Sequence, residues 1–115
     1  MSEYLILIYG DESKLSNPSP ELMGKMMKGH EDFAKNHGAS LRGGNALQPT
    51  GTATSLRETA PGEFVVTDGA FAETKEALAG YYLIEAANLD EAISIAKGIP
   101  SPNGGLEVRP IRVFD

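Results

Sequence analysis

The sequence contains no cysteine among its 115 residues. This absence excludes disulfides, thiolate metal sites and thiol nucleophiles, and it is typical of proteins in the reducing cytoplasm. Long apolar runs are absent too, because the longest one, residues 4–9, is far shorter than the roughly 20 residues of a membrane helix. No basic, apolar signal peptide opens the sequence, since Glu3 follows Ser2 directly. We therefore expect a cytoplasmic protein with no membrane segment.

Basic side chains are also in short supply. Ten Lys and Arg residues stand against sixteen Asp and Glu residues, which gives a net charge of −6 with neutral histidines. Because affinity for phosphates comes mainly from accumulated Lys and Arg, direct binding of nucleic acid is not expected. Hydrophobic residues at 41% and charged residues at 23% are typical of a folded globular chain. The length predicts a single domain over residues 1–115.

Two amphipathic stretches with clear start signals predict helices. Ser19 is a favourable N-cap and Pro20 a favourable first helical residue, and apolar side chains then recur every three or four residues until Gly38. Asn88 predicts the start of a second helix, which Gly98 ends. Both helices follow runs rich in β-forming residues, as expected for βαβ units.

Six such runs predict strands, and two of them form a hairpin around Ala60-Pro61-Gly62. The predicted strands are residues 3–9, 39–47, 52–57, 63–67, 81–86 and 106–114. Because Pro110 lacks an amide proton, the last strand should lie at a sheet edge. Two βαβ units with crossover helices on one face predict an α+β, ferredoxin-like βαββαβ sheet with an inserted hairpin.

The first predicted strand is apolar on both of its alternating faces. Leu5 and Leu7 lie on one face, whereas Tyr4, Ile6 and Ile8 lie on the other. A strand of this kind requires cover on both sides of its sheet, but the two helices cover only one side. We therefore predict a homodimer joined through its sheet faces. The alternative is that the inserted hairpin folds across the open face.

Residues 68–76 form the most distinctive motif, with the sequence Asp-Gly-Ala-Phe-Ala-Glu-Thr-Lys-Glu. It resembles the signature of the DGPF subfamily of YCII-related proteins, in which a proline stands at the position of Ala70. Residues 80–84 and 107–111 are similar to that subfamily as well, so the resemblance spans nearly the whole chain. It implies a ferredoxin-like fold that pairs as a dimeric α/β barrel. It also implies a link to transcription, because members are often encoded beside extracytoplasmic-function sigma factors.

In the wider YCII family, a histidine–aspartate pair is proposed to be catalytic, and one member of the family is a dehydrochlorinating enzyme. Asp68 matches the aspartate, but a gap-free count back from Gly38 brings the family's histidine to Met27, one turn before His30. The family's histidine therefore has no counterpart at the matching position of this sequence. His30 lies on the apolar stripe of its helix, which favours a largely buried ring held by a local hydrogen bond. A catalytic His30 is the open alternative.

The motif itself predicts an ordered loop over residues 68–76. Phe71 offers a large apolar ring and should pack inward. The Asp68 carboxylate should accept hydrogen bonds from backbone amides or from Arg57, as carboxylates beside glycine do in tight turns. Local propensity instead favours a helix over residues 70–79, which is the alternative.

Two functions of different classes remain open. The absence of any complete catalytic constellation favours a ligand-binding or regulatory dimer that works with a small molecule or a transcription partner. The resemblance implies that this partner is a sigma factor. The alternative is a small lyase- or isomerase-like enzyme, with Asp68 or Glu73 as general base and Arg57 or Lys75 holding an anionic substrate. These four residues and His30 are the candidate site residues. No metal-ligand, dinucleotide or phosphate-loop pattern occurs, so we predict no metal and no cofactor.

Overall fold

Two antiparallel sheets organise the chain in a computed structural model, which describes residues 1–15, 17–71 and 75–114. The strands are β1 (Ser2–Asp11), β2 (Leu41–Ala46), β3 (Thr54–Ala60), β4 (Glu63–Asp68), β5 (Glu76–Ala86) and β6 (Gly104–Pro110). The helices are α1 (Glu12–Leu15), α2 (Pro20–Asn36) and α3 (Leu89–Ala96), with a 3-10 turn at Thr50–Thr52. The main sheet has the order β2-β5-β1-β6, and β3 pairs only with β4. The predicted α+β class is confirmed, and the architecture is compatible with a ferredoxin-like fold.

Both long helices begin where their caps predict. The Ser19 hydroxyl accepts a hydrogen bond from the Leu22 amide at 3.1 Å, and Pro20 is the first helical residue of α2. The Asn88 side chain accepts from the Glu91 amide at 2.9 Å at the start of α3. Each cap satisfies an amide that the helix itself leaves unpaired. None of the helices in the described ranges is long and apolar enough to cross a membrane.

The core lies between one face of the main sheet and the helices α2 and α3. Alternate residues of the central strands, among them Ile6 and Ile84, are fully buried there against Phe33 of α2. Full burial of each such side chain contributes about 1.5–3 kcal/mol to stability. Leu5 and Leu7 lie on the opposite face of β1, which carries no helix, and both are half-buried. We call this the helix-free face.

Strand β5 begins five residues earlier than predicted, at Glu76 instead of Tyr81. The helix considered over residues 70–79 is therefore wrong from Glu76 onward. The physical reason is pairing, because β1 continues to Asp11 and offers partners as far as Glu76, across a register shift between Ile8 and Tyr9. Strand pairing with a ten-residue neighbour thus overrides the local preference for helix.

Strand β6 lies at the edge of the main sheet, as Pro110 predicts, but it ends at Pro110 instead of continuing to Phe114. The predicted hairpin is present as β3 and β4; each strand is one residue longer than expected, and β3 begins two residues later and ends three residues later than predicted. These two strands form a separate sheet and pack extensively only on one another within the described chain. The hairpin therefore does not fold across the helix-free face as the alternative supposed.

Candidate functional site

A cavity of about 370 Å³ opens between α2, the main sheet and the loop that leads into β6. Met26 and His30 line it from α2, Tyr82 from β5, and Pro100 and Ser101 from the loop. The volume lies within the range of small-molecule sites, which are concave and mostly apolar with a few polar groups. We call this space the His30 cavity.

Two glycines allow the walls of the His30 cavity to approach one another. A Cβ atom on Gly44 of β2 would lie 2.6 Å from the Tyr82 ring. A Cβ atom on Gly29 of α2 would lie 2.5 Å from Cγ of Pro100. Both distances are too short for a side chain, so only glycine permits these contacts. Glycine at these two positions therefore helps to shape the cavity, because a side chain at either position would clash with Pro100 or Tyr82.

His30 and Tyr82 form a polar pair on the wall of the His30 cavity. His30 Nδ1 and the Tyr82 hydroxyl oxygen are joined by a hydrogen bond of 2.7 Å. Phe33 packs against the Tyr82 ring, with 4.8 Å between the ring centroids, and so supports its position. Both members of the pair are half-buried. The hydrogen bond predicted for His30 is present, but its partner lies 52 residues away because α2 packs across the sheet. The ring is half-buried rather than largely buried as predicted.

Burial lowers the pKa of the His30 imidazole and raises the pKa of the Tyr82 phenol. Both groups are therefore predominantly uncharged at neutral pH. If Tyr82 donates to Nδ1, then His30 retains an N–H donor at Nε2 and Tyr82 retains an acceptor. If His30 donates, then Tyr82 retains its O–H donor and Nε2 is the free acceptor. In either tautomer the pair can offer one donor and one acceptor.

A second polar contact lies beside this pair on the neighbouring strands. The Asn45 side-chain amide donates to the Tyr81 hydroxyl at 3.0 Å, and the two residues are cross-strand partners in β2 and β5. Because successive strand residues point to opposite faces, the register places Tyr82 on the side of α2 and Tyr81 on the other side. Asn45 and Tyr81 nevertheless also line the His30 cavity, so this second polar contact borders the same space as the first.

No carboxylate, Lys or Arg is found among the described residues that line the His30 cavity. Nor do the described ranges contain a group of three or more His, Asp or Glu side chains that could hold a metal ion. An unpaired charge in such a wall would lose solvation without compensation. The cavity is therefore suited to an uncharged occupant.

The candidate residues named from the motif lie elsewhere in the chain. Asp68 is the exposed last residue of β4, Arg57 lies in the middle of β3, and Lys75 is exposed just before β5. None of these three lines the His30 cavity. Glu73 lies outside the described residues. The structure therefore brings His30 together with Tyr82 and does not bring it together with the acidic and basic groups of the motif.

Phe71 does not pack inward, and this prediction is wrong. Its side chain is 63% exposed, and the Arg57 guanidinium lies over its ring at 4.5 Å from the centroid. The hairpin stands away from the core, so no apolar interior lies within reach of this segment. No hydrogen bond reaches the Asp68 carboxylate from residues 1–15, 17–71 and 75–114; instead, the base of the hairpin is closed by the Gly69 amide, which donates to the Ala53 carbonyl at 2.7 Å.

Sequence reasoning missed two anchored carboxylates at the end of β1. The buried Asp11 accepts hydrogen bonds from the amide and the hydroxyl of Ser13, at 3.0 and 2.6 Å. These bonds hold the pKa of Asp11 below its ordinary value against the opposing effect of burial, and the Lys75 charge adds to them. Glu12 accepts from the amide and the hydroxyl of Thr50, both at 2.7 Å. Both carboxylates thus fix loops, and neither lines the His30 cavity.

Comparison with known proteins gives a match over the whole described fold. The sequence model of the YCII-related domain matches residues 2–115. An uncharacterised protein of Rhizobium meliloti (strain 1021) is 40% identical over 116 residues, which cover 96% of this chain and 93% of that protein. The matched region includes the main sheet, the helices, the hairpin and the His30 cavity.

Proposed function

The chain belongs to the YCII-related domain family, and from this premise we propose that it binds a small uncharged molecule in the His30 cavity. The observation that carries the proposal is the hydrogen-bonded pair of His30 and Tyr82 in the wall of a mostly apolar cavity of about 370 Å³. Such a cavity buries an apolar body, while the pair orients one polar end.

The chemistry of the wall defines the class of ligand. The described lining has no charged group that could compensate a buried ammonium or carboxylate. The pair of His30 and Tyr82 has one donor and one acceptor left, so it suits an amide, an alcohol or a carbonyl group. The ligand class is therefore a small, neutral molecule with an apolar body and one such group.

Calorimetric or ligand-observed NMR titration with matched fragments tests this proposal. Benzamide and benzyl alcohol represent the neutral class, and benzoate and benzylammonium are their charged counterparts. We expect the neutral fragments to bind more tightly, and we expect Tyr82→Phe to weaken their binding about 3- to 10-fold, as for a hydrogen bond of about 1 kcal/mol. Tyr4→Phe is the matched control, because Tyr4 lies outside the cavity. Preferential binding of the charged fragments would contradict the proposal. Equal affinity of Tyr82→Phe and Tyr4→Phe for the neutral fragments would contradict it as well.

Acid–base catalysis is the second candidate, and the uncharged imidazole beside a phenol favours it. In this alternative a lyase- or isomerase-like reaction uses His30 as the base, since Asp68 does not line the cavity. The two candidates differ in what happens to a bound molecule. A binding domain releases its ligand unchanged, whereas an enzyme converts it, and NMR of the recovered compound distinguishes the two outcomes.

The assembly and the cellular role are further parts of the proposal. We propose that copies pair through the helix-free face as a dimeric α/β barrel, as the resemblance to the DGPF subfamily implies. The cross-strand pair of Leu5 and Leu83 supports this pairing, because both side chains are half-buried on a face that carries no helix. The proposed regulatory role beside a sigma factor, in the cytoplasm, is supported by the same resemblance and by the absence of cysteine.

A further inference from the structure

The imidazole of His30 has no charged neighbour in the wall of the His30 cavity. Among the described residues that line this space, the only other titratable side chains are the phenols of Tyr9, Tyr81 and Tyr82. The positions one turn away from His30 on α2 are all apolar, namely residues 26, 27, 33 and 34. Burial alone lowers the pKa of His30, with no contribution from a neighbouring charge. A proton taken up by this ring therefore finds no counter-charge in the described wall of the cavity.

The elements packed around the ring do not supply a counter-charge from further away. On α2, the exposed Lys28 and Asp32 pair with each other at 3.2 Å, and Glu31 is exposed as well. The loop borders the cavity with residues 100–102, none of which ionises. None of the described residues of β1, β2 and β5 that border the cavity has an acidic or basic side chain other than a phenol. Inside the cavity, the counter-charge for a protonated His30 must therefore come from a bound molecule.

Protonation also changes the hydrogen bonds that the pair of His30 and Tyr82 can offer. In the imidazolium both ring nitrogens are donors, so Nδ1 donates to the Tyr82 oxygen across the 2.7 Å contact. The Nε2–H of His30 and the O–H of Tyr82 are then two free donors. A carboxylate accepts hydrogen bonds at both of its oxygens, and such charge-assisted bonds are stronger than neutral ones. The protonated pair thus matches a carboxylate, whereas the uncharged pair matches an amide or an alcohol.

We propose that the His30 cavity binds carboxylic acids with an apolar body as a second class of ligand, and that each carboxylate enters together with one proton, which His30 holds. This inference rests on the proposed function, because it assigns a second ligand class to the same cavity. A carboxylate paired with an imidazolium has no net charge, so the cost of burying either charge alone is reduced. An ammonium ion has no such route, because tyrosine phenols ionise only near about pH 10 and the described wall has no carboxyl group. The cavity should therefore accept acids and exclude amines.

Calorimetric titration with benzoate, benzamide and benzylammonium at about pH 8 and about pH 6 tests this inference. Benzoate remains ionised in this range, because carboxyl groups titrate near about pH 4 and histidine near about pH 6.5. Each pH unit above the pKa of His30 lowers the protonated fraction of the ring about tenfold. We expect benzoate to bind at least about tenfold more tightly at the lower pH, benzamide to change by about twofold at most, and benzylammonium to gain nothing.

The three ligands separate this inference from the proposed function. If benzamide binds but the affinity for benzoate does not rise on acidification, this inference is wrong and the proposed function stands. If benzamide does not bind either, both are wrong. A gain of affinity for benzylammonium on acidification would also overturn the inference, because a protonated His30 repels a cation.

Uptake of neutral benzoic acid would give the same dependence on pH, and the variant His30→Gln distinguishes the two cases. Glutamine keeps a polar side chain at this position but cannot take up a proton in this range. We therefore expect benzoate to lose its gain at low pH in His30→Gln. The matched control His37→Gln should keep that gain, because His37 lies outside the cavity. A dependence on pH that persists in His30→Gln would show that the acid enters in its neutral form and would overturn the inference.

NMR of the two imidazoles in the unmodified protein gives an answer even where His30→Gln fails to fold. By linkage, a ligand that binds together with a proton raises the pKa of the group that holds the proton. We expect saturating benzoate to move the titration midpoint of the His30 resonances to higher pH, with no corresponding change at His37. A midpoint of His30 that stays in place or moves to lower pH, or an equal change at both rings, would overturn the inference.

Discussion

The hydrogen bond between His30 and Tyr82 can be measured by replacing each of its members. Tyr82→Phe removes only the hydroxyl that lies 2.7 Å from His30 Nδ1, and the remaining ring keeps its packing against Phe33. His30→Leu removes both ring nitrogens and leaves an apolar side chain that cannot form a hydrogen bond with Tyr82. The double variant completes a cycle that isolates the energy of the pair.

The expected magnitude follows from the partial burial of the pair. A typical protein hydrogen bond contributes about 0.5–1.5 kcal/mol, and a fully buried unpaired nitrogen costs about 1–3 kcal/mol. His30 is only half-buried, so water can reach the ring once the hydroxyl is gone. We therefore expect Tyr82→Phe to lower the free energy of unfolding by about 1 kcal/mol. This change corresponds to a melting temperature lower by about 3–6 °C.

Urea denaturation of the four proteins in the cycle checks the expectation. We predict a coupling energy between His30 and Tyr82 of about 0.5–1.5 kcal/mol. The control Tyr4→Phe should cost less than Tyr82→Phe, because the Tyr4 hydroxyl makes no hydrogen bond with the described residues. Additive effects within about 0.3 kcal/mol would show that the two side chains do not interact in solution, and the account of the cavity wall would be wrong.

Three further predictions concern stability. Because burial lowers the pKa of His30, the unfolded chain binds a proton more readily than the folded chain below pH 6.5. The free energy of unfolding should therefore decrease as the pH is lowered through that range. In His30→Gln, the free energy of unfolding should depend less steeply on pH. Gly24→Ala should stabilise α2 by about 0.5–1 kcal/mol, since its Cβ enters open space. Gly29→Ala should destabilise the protein, because its Cβ would clash with Pro100. Melting temperatures should therefore rise in the first variant and fall in the second, and a shift in the same direction in both would contradict this reasoning. Asn88→Ala should cost about 1 kcal/mol through loss of the α3 cap, and Asn88→Asp should restore most of it; equal melting of all three proteins would refute the cap.

The parts of the fold that the sequence predicts are those with local causes. Ser19 and Asn88 begin their helices through hydrogen bonds to residues three positions ahead. Pro110 belongs to an edge strand because it lacks a donor. Each of these signals acts within one turn or one strand. By contrast, the start of β5 at Glu76 depends on the length of β1, which lies more than sixty residues earlier in the chain.

The candidate site was less predictable for the same reason. The cavity depends on two close approaches, of Gly29 to Pro100 and of Gly44 to Tyr82, and no local pattern encodes either of them. His30 was visible in the sequence as a polar residue on an apolar stripe, but its partner lies on a distant strand. The motif at residues 68–76 predicts a site because its acidic and basic groups are close in sequence. Its described residues nevertheless lie outside the cavity.

The chain has two histidines, and this allows the central claim to be tested in one measurement. His30 lines the cavity, whereas His37, two turns later, lies outside it against Phe33. NMR of the imidazole resonances during titration with benzamide should show a saturable shift for His30 and none for His37, and Tyr82→Phe should weaken the effect. Equal shifts of both rings, or binding that leaves His30 unchanged, would contradict a ligand site in the His30 cavity.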